Sequence, residues 1–274
     1  MASPVITSVR SERVVAARRL ATRSFRAKRG LFLAEGPQAV REALGRPDGV
    51  AELYFTAAAA DRHPQIVEAA RRGGVALAPA TDEVVASLGG TVHPQGMVAV
   101  CRFLDVPVGR ALAPGTRLVA LLAHVRDPGN AGTVIRCADA AGADAVVLTD
   151  ESVDVYNPKA VRATAGSLFH VPVATGEPIE DALAACRAAG LRILAADGSG
   201  PADLDDEADA GALAEPTCWI FGNEAWGLPD AVRALADATV RIPIHGRAES
   251  LNLSTAAAVC LYASARAQRR APGP

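Results

Sequence analysis

Side chains that commonly announce a chemistry are scarce in this 274-residue chain. There are 11 aromatics (two Trp, three Tyr, six Phe) against 59 alanines, so the core has to be built from small side chains. The five cysteines (Cys101, Cys137, Cys186, Cys218, Cys260) are odd in number and far apart, and no Cys-x-x-Cys or His-x-x-x-His pair occurs. That pattern argues against a structural metal or a disulfide framework and for free thiols in the reducing cytoplasm. Long apolar runs are missing too. The longest stretch free of Asp, Glu, Lys and Arg is Val84 to Cys101, 18 residues, and Gly89-Gly90 and His93-Pro94-Gln95-Gly96 break it into two elements and a turn. A membrane partner is therefore not expected. No apolar signal-peptide core follows Met1. A net charge of −2 by itself calls for neither a nucleic-acid nor a membrane partner. Also absent are Gly-x-Gly-x-x-Gly after a strand, Gly-x-x-x-x-Gly-Lys-Ser/Thr and the Gly-x-Ser-x-Gly nucleophile elbow, so neither a dinucleotide nor a nucleoside triphosphate is indicated. A cofactor without phosphates needs none of these loops.

What is present begins with uneven charge. Residues 1–30 hold eight basic side chains against one acid, Glu12, while the rest of the chain holds 20 basic against 29 acidic. Residues 1–24 read as a basic N-terminal arm. Arg18, Arg19 and Arg23, followed by Arg26, Lys28 and Arg29, are its candidate phosphate contacts. A solvated, partly helical tail and an organelle presequence remain open alternatives. Residues 25–103 alternate strand and helix patterns: strands at 31–34, 51–55, 75–78 and 96–103, helices at 37–44 and 65–72, and a helix N-cap at Thr81. Residues 104–116, with Pro107, Gly109, Pro114 and Gly115, read as a linker. Alternation resumes over 117–274, with strands at 118–123, 145–148, 171–174, 191–196, 217–221 and 239–244 and helices at 131–141, 158–166, 179–189, 229–236 and 253–268. The acidic stretch 198–211 reads as a surface loop. Alternation of this kind predicts a parallel sheet covered on both faces, with ligands beyond the carboxyl ends of its strands.

Three strand-end loops are rich in glycine and polar residues. In the first, Val125-Arg-Asp-Pro-Gly-Asn130-Ala-Gly-Thr-Val-Ile-Arg136, Asn130 sits where an N-cap is wanted, and Arg136 has only Gly132 and Ala140 as neighbours one turn away. In the second, an apolar strand runs straight into Phe221-Gly222-Asn223-Glu224. Gly222 permits close backbone approach, and Glu224 supplies a carboxylate. In the third, Ser250 and Asn252 straddle Leu251 just before the last helix, and capping accounts for only one of the two. Each loop taken alone is also compatible with an ordinary cap or turn. A fourth segment, Asn157-Pro-Lys159-Ala-Val-Arg162, puts two cations in the first turns of a helix, where the dipole disfavours them. They are either solvated or contacts for an anion. The last helix is small and apolar on most faces, which points to packing on two sides.

Together these loops resemble the SPOUT superfamily of RNA methyltransferases, in its SpoU (TrmH-like) branch. The matching text is Asp127-Pro-Gly-Asn-Ala-Gly-Thr-Val-Ile-Arg136, then Phe221-Gly-Asn-Glu224, then Ile242-Pro-Ile with Ser250-Leu-Asn-Leu-Ser254. Residues 25–103, opening on Phe32-Leu-Ala-Glu-Gly36, are similar to the small α/β substrate-binding domain that precedes it in rRNA-modifying members. The resemblance implies an α/β fold with a C-terminal parallel-sheet SPOUT domain tied in a deep trefoil knot. It also implies bound S-adenosyl-L-methionine, a homodimer with each site at the interface, and no metal. Its cofactor contacts fall on Ala196, Gly222, Asn223, Ile242 and Leu251. Its reaction-site positions fall on Asn130, Arg136, Glu224, Ser250 and Asn252, with Glu224 orienting Arg136 or Asn130. Lys159 and Arg162 join the basic N-terminal residues as RNA contacts. The reaction implied is methyl transfer to a ribose 2′-hydroxyl of RNA, with large-subunit rRNA ahead of transfer RNA. A non-catalytic RNA-binding paralogue is the alternative.

Overall fold

The computed structural model of the chain describes residues 4–270. Its contacts divide it into two compact units. One runs to Leu104 and takes in Tyr156–His170; the other comprises Asp105–Val155 and the chain from Val171 on.

The first unit contains, in chain order, α1 (Glu12–Arg18), α2 (Arg23–Arg29), β1 (Leu31–Glu35), α3 (Pro37–Leu44), β2 (Val50–Phe55), α4 (Ala57–Arg62), α5 (Pro64–Arg72), β3 (Ala76–Pro79), α6 (Asp82–Leu88) and β4 (Met97–Arg102). Its sheet has the order β1-β4-β2-β3. Only β2 and β3 are parallel; β4 runs antiparallel to both β1 and β2. This mixed sheet is the expected small α/β unit, and β4 runs against its neighbours because the loop over 89–96 lets the chain re-enter from the opposite end. Thr81 caps α6 as expected, accepting from the Val84 amide. The sequence reading misses α4, whose four alanines have high helix propensity but no periodicity.

Residues 4–24 are not an arm, and the first three residues of the expected arm lie outside the described residues. Ser11 caps α1 by accepting from the Val14 amide. Val14, Ala17 and Leu20 are buried in one apolar cluster with Tyr54, Val84 and Val100. Ile6 bridges to Ala80 at the sheet edge. Spacing at i, i+3 and i+6 makes α1 and the turn after it amphipathic, so most of the positive charge is simply the outer face of a packed element. Arg26 departs furthest from its expected role as an RNA contact. It is 2% exposed, and its Nη1 donates to the Leu20 and Ala21 carbonyls, each at 2.8 Å. Arg18, Arg19, Arg23, Lys28 and Arg29 stay exposed.

The chain continues through α7 (Val108–Ala111), β5 (Leu118–Leu122), α8 (Pro128–Ala141) and β6 (Ala145–Thr149). Next come α9 (Pro158–Ala163, in the first unit), β7 (Val173–Glu177), α10 (Ile179–Ala188), β8 (Arg192–Ala196), β9 (Ala202–Asp203) and α11 (Leu204–Asp209). It closes with β10 (Thr217–Phe221), α12 (Asp230–Arg233), β11 (Ala238–Arg241) and α13 (Leu253–Arg270). The second unit carries one sheet of seven strands, order β7-β6-β5-β10-β8-β11-β9, with every neighbouring pair parallel. Strands β5, β6 and β10 are buried at every position, which is why Leu118-Val-Ala-Leu-Leu122 shows no polar alternation.

Two boundaries differ from the expectation. The 104–116 stretch is no free linker: Ala111 and Leu112 are buried in the second unit's core, and the Val106 amide donates to the Val173 carbonyl. The 198–211 stretch holds β9 and α11, because Leu204, alone among the acids, is buried and Asp203 caps the helix. Helix α13 is fixed to the sheet by the buried Trp219, whose Nε1 donates to Ser264 Oγ at 2.9 Å. It is fixed to α8 by Tyr262 Oη and Arg269 Nη2, which donate to the Ala140 and Ala141 carbonyls.

Candidate active site

Strand β5 ends in a turn that the sequence reading places three residues late. Asp127, not Asn130, is the N-cap of α8; its Oδ1 accepts from the Asn130 amide at 2.8 Å. Pro128 decides this, since proline favours the first helical position and so puts the cap immediately before it. The consequence is chemical. Asn130 does not cap, and its side chain is available to the site.

Glu224, from the loop after β10, takes up that side chain. Its carboxylate accepts from Asn130 Nδ2 at 3.2 Å and from the Arg126 and Asp127 amides at 3.3 and 3.2 Å. Asn130 Oδ1 accepts in turn from Asn252 Nδ2 at 3.1 Å. The Asn252 Oδ1 then accepts from the Ser254 amide and hydroxyl at the start of α13. One hydrogen-bonded chain, Glu224–Asn130–Asn252, thus joins three loops, the first of them 94 and 122 residues before the other two.

The loops enclose a cavity of about 470 Å³ at the carboxyl ends of β8, β10 and β11, lined by Asn130, Glu224, Ser250 and Asn252 and by Ala196, Gly222, Asn223, Ile242 and Leu251. Every expected reaction-site and cofactor position is there except Arg136. That residue lies six positions beyond Asn130 on α8, hence about 9 Å along the axis and a third of a turn away. It is exposed in the single chain, and Glu224 orients Asn130 rather than Arg136. Asn223 lines the cavity, but its groups are already engaged. Nδ2 donates to the His124 carbonyl at 2.7 Å, Oδ1 accepts from the Ala225 amide, and its backbone closes a tight hairpin with Gly227. It shapes the site rather than offering contacts. His124 is held there with a φ of 53°, a strained conformation that turns the chain from β5 into Arg126 and Asp127.

The charge of the cavity is one-sided. Asp197, Glu224 and Glu249 line it, and no Lys, Arg or His does. Sequence reasoning misses Asp197 and Glu249, whose signal is an acid at a strand end and one beside Ser250. Burial pushes the Asp197 carboxyl up, but the Ser199 hydrogen bonds and the Arg233 guanidinium at 3.2 Å outweigh it and hold the carboxyl below its ordinary value. The floor is apolar: Phe221, Val240, Leu253 and Ala256. An apolar, acidic cavity of this size suits a compact ligand that is cationic and carries no phosphate.

In the first unit, Arg162 lies 3.8 Å from Glu35, so part of its charge is spent internally, and Lys159 is exposed. Among the described residues, no group of three or more His, Cys, Asp and Glu side chains is placed to hold a metal ion.

A parallel α/β sheet whose strand-end loops form an acidic pocket with no basic residue among its described lining defines the class. Residues 117–262 match the SpoU rRNA methylase family, and residues 11–99 match the MRM3-like substrate-binding domain. The chain belongs to the SpoU family. It is 33% identical over 94% of its length to a 23S rRNA (guanosine(2553)-2′-O)-methyltransferase of Bacillus subtilis, covering 97% of that protein. A 23S rRNA (uridine(2479)-2′-O)-methyltransferase of Streptomyces viridochromogenes is also 33% identical, over 94% of this chain and 95% of its own. The AdoMet-bound rRNA methyltransferase of Sinorhizobium meliloti superposes with a TM-score of 0.82 at 30% identity, covering 96% of this chain and 97% of that one.

Proposed function

We propose that the chain transfers a methyl group from S-adenosylmethionine to a ribose 2′-hydroxyl of large-subunit rRNA. The observation that carries this reading is the cavity, with three carboxylates, no basic side chain and an apolar floor. The backbone of Gly222, Ile242 and Leu251 would hold the cofactor, with the carboxylates facing its positive charge. Bound there, it would supply a methyl group from a sulfonium and leave as a neutral thioether, while the hydroxyl's proton passes to the adjoining RNA phosphate.

The chain's own residues align the nucleophile. Asn130, fixed by Glu224 on one side and Asn252 on the other, presents one remaining amide hydrogen toward a ribose hydroxyl. Ser250 flanks it. Arg136 is a clamp for the adjoining RNA phosphate. With a reference pKa of about 12.5–13.8, a guanidinium is a poor base, but its planar fork suits phosphate. Arg136 does not line the cavity of its own chain, and a second copy presenting its α8 would bring one there. The exposed Val259 and Tyr262 on α13, next to α8, support a homodimer through that face. Family membership supports the threaded, knotted path of the C-terminal loops, and unpaired cysteines support a cytoplasmic location. The two long-range relatives favour large-subunit rRNA over transfer RNA.

The test measures label transfer from methyl-labelled S-adenosylmethionine to unmodified 23S rRNA transcript, with 2′-O-methyl mapping of the product, alongside melting with S-adenosylmethionine or NADH. One methylated ribose and stabilisation by S-adenosylmethionine alone are expected. Stabilisation by NADH alone overturns the reading, and cofactor binding without transfer identifies the non-catalytic paralogue.

A further inference from the structure

Trp226 is 52% exposed, whereas the chain's other tryptophan, Trp219, is fully buried. It sits on the hairpin that Asn223 and Gly227 close by reciprocal backbone hydrogen bonds of 3.0 and 2.9 Å. Asn223, Glu224 and Gly227 of that hairpin line the cavity, and Trp226 stands one residue outside the lining. The Arg126 guanidinium lies over the ring, 5.1 Å from its centroid. Arg126 is itself held, its amide by Glu224 and its side chain by Glu151 at 3.8 Å. An indole with a guanidinium over one face and about half of its surface open is a flat, apolar surface next to a positive charge. The cavity beside it is acidic and repels phosphates, so an RNA strand has to be gripped at the rim while only one ribose enters. A nucleobase presents a π-face to any aromatic platform, and a guanidinium serves the phosphate beside it.

We propose that Trp226 is a positioning residue: the nucleobase at or next to the methylated ribose stacks on its indole, with Arg126 meeting the neighbouring phosphate. This rests on the reading of the cavity as an RNA 2′-O-methylation site. Base–aromatic stacking corresponds to roughly 5- to 150-fold in affinity. The experiment uses the full chain saturated with S-adenosylmethionine, with unmodified 23S rRNA transcript as the probe. Trp226→Ala is expected to raise the KM for RNA by about 10- to 100-fold, more than it lowers kcat, and to leave S-adenosylmethionine affinity within about twofold. Trp226→Phe keeps a stacking face and should recover most of the loss. The emission difference between the wild type and Trp226→Phe isolates Trp226 from Trp219. RNA should quench that difference signal and shield it from iodide. An unchanged KM in Trp226→Ala, or a phenylalanine variant as poor as the alanine one, overturns the proposal. Methyl transfer without quenching of Trp226 defeats stacking alone. Quenching without methyl transfer keeps stacking and defeats the function, and the loss of both defeats both.

Discussion

Gly222 offers the sharpest test of how the cavity is built. A Cβ there would lie 2.5 Å from the carbonyl carbon and oxygen of Gly227 and 2.8 Å from Leu228 Cγ. Two of the three obstacles are backbone, so no rotamer change relieves them. The 2.5 Å contact must open by about 0.9 Å to reach ordinary van der Waals separation, and it is the hairpin from Asn223 to Gly227 that must move. Overpacking of this kind costs about 1–3 kcal/mol. A shift near 1 Å at a ligand-contacting loop can cost on the order of 100-fold in rate. Gly190, just before β8 and outside the cavity, makes the control. Its φ is +80°, and a Cβ there would meet nothing within 4 Å. Gly190→Ala therefore carries left-handed backbone strain, about 1–2 kcal/mol, without a steric push on the cavity. Titration calorimetry with S-adenosylmethionine, with melting temperatures measured alongside, separates the two. Gly222→Ala should lose at least about tenfold in affinity and roughly 2–4 °C per kcal/mol of lost stability. Gly190→Ala should melt lower but bind within about threefold of the wild type. Wild-type affinity in Gly222→Ala, or a larger affinity loss in Gly190→Ala, refutes the reasoning.

Arg136→Ala should abolish methyl transfer while calorimetric S-adenosylmethionine affinity stays near wild type, and Arg136→Lys should fail as well, because an ammonium lacks the two-pronged fork; full activity of the lysine variant disproves the clamp. Ser264→Ala strands the buried Trp219 N–H and should lower the unfolding free energy by about 1–3 kcal/mol in denaturant titration, whereas an unchanged midpoint would mean that the hydrogen bond contributes nothing net. Replacing the exposed Arg18, Arg19 and Arg23 together by Gln should leave melting unchanged and flatten the slope of log RNA affinity against log salt by about 2–3, at about 0.7–0.9 per phosphate. Deleting residues 1–24 should instead lower the first unit's melting temperature, because it removes Val14, Ala17 and Leu20 from a core; a truncated chain that melts like the wild type contradicts that packing.

Asn130 and Glu224 are legible because each stands within two residues of backbone punctuation after an apolar strand, Pro128-Gly129 and Gly222, and Ser250 and Asn252 because they straddle Leu251 just before the last helix. Fully buried parallel strands show up as short runs of Val, Leu, Ile and Ala, and β10, at Thr217–Phe221, is recovered to the residue. What the sequence hides is partnership. Nothing in it says that Glu224 reaches Asn130 rather than Arg136, since that choice depends on where the β5 and β10 loops meet in space. The antiparallel β4 is hidden for the same reason, because local pattern carries no strand direction.

The N-terminal residues show how a sum misleads where a period does not. Eight cations in 30 residues describe a charge, and a charge alone does not distinguish a tail from the outer face of a helix. The discriminating signal was Val14, Ala17 and Leu20 at helical spacing, with Ser11 three residues before Val14 as the cap. Arg26 carries the point further. It is buried because the chain turns at Leu20 and Ala21, leaving two carbonyls that no helical amide reaches, and a guanidinium supplies donors to both. One cation of the cluster is thus a structural pin, and the exposed ones around it keep their capacity for phosphate. The basic surface is therefore carried on a folded scaffold, so RNA contacts made there need not first order a flexible arm.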